Sequence, residues 1–197
     1  MARKKSAAKA AQRFADGVRG TLDFVSVVEV RQSKGYVSRI YDSAVIALYR
    51  DFEELVLGVL VAAINNNVTQ TISTTLGVKF PKHMKHEVCS YLVTGPSFFD
   101  FKGRSGLIKR VKQYVPKDHY LVEVLTHTSF KQTIERLCAL RNFAAHGSPQ
   151  SKKAALEATG QTRMRSAGTW LKGGTRFPDL VSKLEDLAKQ LEDRAPF

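Results

Sequence analysis

Between Ser38 and Ile64 the chain carries apolar residues at Tyr41, Val45, Leu48, Phe52, Leu55 and Val59, separated by four, three, four, three and four positions. That spacing returns to one side of an α-helix at every step. No proline interrupts it. Further along, Leu57, Leu60 and Val61 fill the other faces. A helix that is apolar on most sides is buried on most sides. The segment is therefore predicted to be the central core helix, or a core helix that also meets a second copy. Asn65-Asn66-Asn67 is predicted to end it, because asparagine side chains compete for the backbone's hydrogen bonds.

The other elements arrange around this one. Residues 1–20, rich in Ala, Lys and Arg, read as an arm-like helix. Thr21 to Gln32 reads as a short strand or docking segment because of Phe24, Val25, Val27, Val28 and Val30. Val68 to Phe80 is ambiguous, and Pro81 is placed to open a helix reaching Tyr91. Gly106 to Val115 reads as a basic amphipathic helix stopped by Pro116. A helix is expected from Phe130 or Lys131 to His146, closed by Gly147-Ser148-Pro149. Ser151 to Ala158 reads as a short helix, and Gly160 to Gly174 as a loop-rich insert. Leu180, Val181, Leu184, Leu187, Ala188 and Leu191 mark a last helix from Pro178 to Arg194. The expected fold is an all-α helical bundle over residues 36–197, preceded by a basic N-terminal arm over residues 1–35.

Charge narrows the function. The chain has 197 residues and a net charge of +13. Residues 1–20 carry +5, residues 102–117 carry +6 and residues 151–176 carry +5, leaving −3 for the rest. Basic blocks over a mildly acidic body attract polyphosphate, because each neutralised phosphate releases condensed counterions. RNA is the expected partner, with Arg104, Lys109, Arg110, Lys112, Lys152 and Lys153 as candidate backbone contacts. Two cysteines, Cys89 and Cys138, are too few for a disulfide scaffold and suit a reduced cytoplasm. The longest apolar run, Leu55 to Ile64, is about half of the ~20 residues that a membrane span requires. No apolar signal core follows the basic start, so neither secretion nor membrane insertion is expected.

The segment Glu135 to Pro149 concentrates the chemistry. On a wheel of about 100° per residue, Arg141 falls among Ile134, Leu137, Cys138 and Ala145. A guanidinium buried alone is expensive. Either its head escapes past the helix end, or a carboxylate or phosphate meets it. Asn142 and His146, four apart, share a face. Arg141 and His146 lie about 140° apart. They converge only if the helix ends at His146 or a second copy completes the site. An imidazole moves protons near neutrality, a guanidinium pairs with phosphate and stabilises charge developing on it, and an amide can orient the imidazole or hold a phosphate oxygen. This trio suits metal-independent RNA cleavage with the 2′-hydroxyl as nucleophile. The competing reading gives His146 a helix-capping role against the dipole and Arg141 an internal ion pair.

Arg141-Asn142-Phe143-Ala144-Ala145-His146-Gly147 resembles the Rx4–6H signature of the HEPN superfamily. The upstream helix from Ala44 to Val56, with Phe52-Glu53 in its middle, is similar to the long helix of the RiboL-PSP-HEPN group. The resemblance spans about Tyr36 to Arg194. It implies a helical bundle that pairs as a homodimer so that two motifs face each other across a cleft. It also implies an endoribonuclease of bacterial defence or a toxin–antitoxin system, with an antitoxin or other defence-system protein as a partner. Carried over by position, Arg141 and His146 are catalytic and Asn142 supports them. Glu53 orients one of them, with Glu54 its rival by one residue. The basic arm and the 160–174 insert depart from the family pattern. Some HEPN domains are inactive binding modules, which makes a non-catalytic nucleic-acid-binding or interaction module the alternative.

Other candidates carry less. His83, His86 and Cys89 lack a fourth ligand and sit beside Lys82 and Lys85, so no metal and no cofactor is expected. Gly103-Arg104-Ser105-Gly106 lacks the ending of a phosphate-binding P-loop. His119 and His127 read as structural, and Cys138 as a buried, inert thiol. Trp170 suits either base stacking or anchoring of the insert.

Overall fold

The computed structural model describes residues 4–196, so Arg3 of the first basic block lies outside the described residues. The chain is an all-α bundle, with no strand among the described residues. Its elements are α1 (Ala7–Glu29), α2 (Lys34–Asn66), a π-helical turn (Thr69–Ser73) running into α3 (Thr74–Leu76), α4 (His86–Thr94), α5 (Gly103–Val111), α6 (Tyr120–Thr126), α7 (Thr128–His146), α8 (Pro149–Thr159), α9 (Ala167–Leu171) and α10 (Arg176–Arg194). None is long and apolar enough to cross a membrane.

The periodic segment is α2, 33 residues and about 50 Å long at 1.5 Å per residue. Val59 to Ile64 is buried on every side. The three asparagines end α2 and also fasten it. Asn65 Oδ1 accepts from the Lys5 N–H at 2.9 Å, and its amide donates to the Met84 carbonyl at 2.6 Å. The Asn66 amide donates to the Lys5 carbonyl at 2.7 Å. The start of α1 and the loop before α4 are thus tied to one helix end.

The basic segment expected as an arm is packed into the bundle. Ser6 caps α1 by accepting from the Lys9 N–H. Ala7, Ala10, Ala11, Phe14, Val18 and Val25 are buried against α2 and α10, while Lys9, Arg13 and Arg19 stay exposed. The valine-rich stretch expected as a strand continues this helix. Phe14, Val18, Leu22 and Val25 keep the helical step through it, and packing along α10 outweighs the weak local preference of β-branched residues. The Tyr41 hydroxyl donates to Glu29 Oε2 at 2.6 Å and its ring meets Phe177 edge-on at 5.1 Å, joining α1, α2 and α10.

The 160–174 insert is also more ordered than its glycines suggest. It contains α9, capped by Ser166. Gly168 is buried against α2, where its N–H donates to Asp42 Oδ1 at 2.6 Å. A Cβ there would lie 1.8 Å from the Ser38 carbonyl oxygen. Pro81 does not open a helix; α4 begins at His86, after an irregular stretch that follows Gly77. Helix α6 was not expected from the sequence; the other remaining elements differ from expectation by a few residues at their ends.

Candidate functional site

Helix α7 packs on α2 and carries the motif. It starts at His127, whose Nδ1 accepts from the Ser129 N–H at 3.3 Å. It stops at Gly147, which takes a left-handed φ of 59° and donates its N–H to the Phe143 carbonyl at 3.0 Å. Ser148 then caps α8, and Pro149 occupies its first turn. A two-residue corner results, with His146 exposed on its rim.

Arg141 projects from the packed side of α7 toward α2. Its Cζ lies 4.5 Å from the centroid of the Tyr49 ring, and Nη1 donates to Asn142 Oδ1 at 2.9 Å. Tyr49 is 3% exposed, and its hydroxyl is 3.5 Å from the Phe101 carbonyl. Glu53, one turn along α2, faces both the Tyr49 hydroxyl and the Arg141 charge. Burial raises the Glu53 pKa above its ordinary value, while Arg141 and Tyr49 act in the opposite direction. The Cys138 thiol, one turn before Arg141, is pushed up to about 12 by burial and then by Glu53, and is inert. Burial also raises Tyr49, so its hydroxyl keeps its proton.

The carboxylate expected to meet the guanidinium is therefore Glu53. It acts across a gap rather than as an ion pair within 4 Å, since none of the salt bridges among the described residues joins the two. Glu54 is exposed on the side of α2 that faces α1, in a groove with Arg13 and Asp51. One residue is about 100° of helix, and that rotation separates the two glutamates. Asn142 is turned to Arg141. His146 makes no hydrogen bond or ion pair among the described residues. One chain thus gathers Arg141, Asn142 and Glu53, and no hydrogen bond or ion pair among the described residues joins His146 to them. Arg141 spends one of its five N–H donors inside the chain. The rest can meet an acceptor such as a phosphate.

Tyr49 was missed in the sequence. Its signal was the four-residue step to Glu53, which puts a ring and a carboxylate on the same face of α2.

The basic candidates divide into two kinds. Lys109, Lys112, Lys152 and Lys153 are exposed, with Lys153 4.0 Å from Glu157. Arg104 and Arg110 are engaged in the fold. Arg104 donates to the Leu125 and Thr126 carbonyls at the end of α6, at 3.1 and 2.8 Å. Arg110 donates to the Val93 carbonyl at 2.7 Å. His119 caps α6 through Nδ1, accepting from the Leu121 N–H at 3.2 Å. Cys89 is buried in α4 while His83 is exposed outside it, so those two do not converge with His86 on one face. His86 pairs with Glu87 at 3.2 Å.

Comparison of the chain with protein-family models, with curated proteins and with solved structures finds no match.

Proposed function

We propose that this protein is a metal-independent endoribonuclease of the HEPN type, acting as a homodimer in the cytoplasm. Arg141 grips the scissile phosphate and stabilises the charge that builds on it. His146 moves the proton between the ribose 2′-hydroxyl or leaving 5′-oxygen and solvent. Attack by the 2′-oxygen breaks the bond to the 5′-oxygen, so the products are a 2′,3′-cyclic phosphate and a 5′-hydroxyl. Asn142 holds the guanidinium, and Glu53 sets its electrostatic surroundings. The setting suggested by the motif is bacterial defence or a toxin–antitoxin pair, with an antitoxin as partner.

One observation carries the reading: Arg141 is held half-buried by Tyr49 and Asn142 on the same helix that stops immediately after an exposed His146. On α7 the two positions lie about 140° apart, and on this reading each cutting site draws Arg141 from one copy and His146 from the other. The test is cleavage of mixed cellular RNA in excess chelator. Wild type is expected to cut. His146→Ala is expected to lose cleavage while keeping its fold and dimer. Unchanged cleavage by a clean His146→Ala protein would refute the chemistry.

The lack of any hydrogen bond between Arg141 and His146 among the described residues also favours a second reading, a nucleic-acid-binding or interaction module without catalysis. It gives salt-sensitive RNA binding with no product from wild type or variant.

A further inference from the structure

Away from Arg141, a cavity of about 540 Å³ opens between α8, the loop from Gln161 to Arg165, α9 and the start of α10. Four cations line it: Lys152, Arg163, Arg165 and Arg176. No carboxylate does. The side chains of Lys152, Arg163 and Arg165 form no ion pair or hydrogen bond among the described residues, and the Arg176 side chain donates only to the Trp170 carbonyl, at 3.0 Å. Four like charges converging on one concavity repel unless an anion joins them.

Trp170 lines the same cavity and is 9% exposed, yet its indole Nε1 is buried with no hydrogen-bond partner. Native proteins rarely leave such a group unsatisfied without a reason. An indole N–H can only donate, as can ammonium and guanidinium groups. The complement to this wall is a ligand made of acceptors. The Trp170 ring is already covered by the Arg176 guanidinium at 4.9 Å and the Arg136 guanidinium at 5.8 Å. Recognition here runs through charge and hydrogen bonds rather than base stacking.

We propose that this cavity binds a terminal phosphate group, with Arg163, Arg165, Arg176 and Lys152 balancing its charge. A multiply charged terminal phosphate suits a concave four-cation site better than the singly charged linkages along an RNA strand. The group could be supplied by a free phosphorylated small molecule or by the 5′-phosphorylated end of an RNA. The site uses neither Arg141 nor His146, so it goes beyond the nuclease reading and does not rest on it.

Trp170 is the protein's one tryptophan, so its fluorescence reports on the site directly. The full chain is titrated at constant ionic strength with pyrophosphate, with a 5′-phosphorylated trinucleotide and with the same trinucleotide ending in a 5′-hydroxyl. A saturable change with pyrophosphate alone assigns a free ligand. A change with the phosphorylated trinucleotide, but not its hydroxyl twin, assigns an RNA end. Either is expected to weaken about tenfold or more in Arg163→Ala/Arg165→Ala, whose side chains are exposed and do not support the core. His146→Ala is expected to bind as wild type, which separates failure here from failure of the nuclease reading. The proposal falls if no probe gives a saturable response, or if the double variant responds as wild type does.

Discussion

Burial holds the Glu53 carboxyl above its ordinary range, against the opposing pull of Arg141 and the Tyr49 hydroxyl. A raised carboxyl favours folding only while it is protonated. Its contribution is present at acid pH and is lost as pH rises through the folded-state value. Ionising Glu53 is thus a net cost to the fold. Glu53→Gln is expected to match or exceed wild-type stability at pH 7, and the gain should shrink toward pH 4. Urea midpoints at the two pH values measure this. Under the nuclease reading the same substitution lowers RNA cleavage, a trade of stability against function. Loss of stability at pH 7 would mean that attraction to Arg141 outweighs burial. His119 shows the opposite sign. Burial lowers its pKa, partly offset by Asp118 and Glu123, and its Nδ1 must be unprotonated to cap α6. The unfolded chain therefore takes up this proton first. Stability contributed by His119 is full above pH about 6.5 and is lost as pH falls through the lower folded value. His119→Asn keeps a capping acceptor that does not titrate. It should flatten the decline in melting temperature between pH 7 and pH 5.

The elements show what a sequence exposes and what it conceals. The strict three- and four-residue steps made α2 legible, because a helix buried on all sides repeats its pattern with little interruption. Ending α7 at Gly147 was legible too, since a left-handed residue followed by a serine cap and a proline has few other uses. Val25, Val27, Val28 and Val30 concealed the second half of α1, because their local preference points away from helix; only the packing of Leu22 and Val25 shows that the buried face continues through this stretch. The glycines of 160–174 concealed α9. Gly168 looks like loop punctuation in the sequence, yet its reason is close approach: α9 meets the α2 backbone where no side chain fits. The motif residues could be found by spacing, whereas Tyr49 and the choice of Glu53 over Glu54 required the packed face of α2. Gly168→Ala puts a methyl within 1.8 Å of the Ser38 oxygen, so α9 must lift from α2. A loss of about 3 kcal/mol is expected, or roughly 6–12 °C in melting temperature for a chain of this length. Gly173→Ala, whose added methyl would meet mainly the Arg176 side chain at 3.0 Å, should cost much less. Calorimetry of the two variants checks the difference.

At the scale of the whole molecule, the proposed chemistry depends on symmetry. A two-fold pair contains two equivalent junctions, because an isologous interface presents the same patch from each copy. If each site takes Arg141 from one copy and His146 from the other, single variants should fail in both sites. Mixing Arg141→Ala with His146→Ala changes this. In the mixed dimer both substitutions fall in one junction, and the other junction keeps an intact guanidinium and an intact imidazole. Half of the dimers in an equal mixture are mixed, and each has one of two sites working, so about a quarter of wild-type cleavage should return. The activity should appear only as fast as subunits exchange, and should fall on dilution below the dimer dissociation constant. Cleavage of a labelled RNA by each variant alone and by the equilibrated mixture makes the measurement. No recovery despite demonstrated subunit exchange would place both groups in one copy's site or require all four together. Either outcome would remove the crossed pairing.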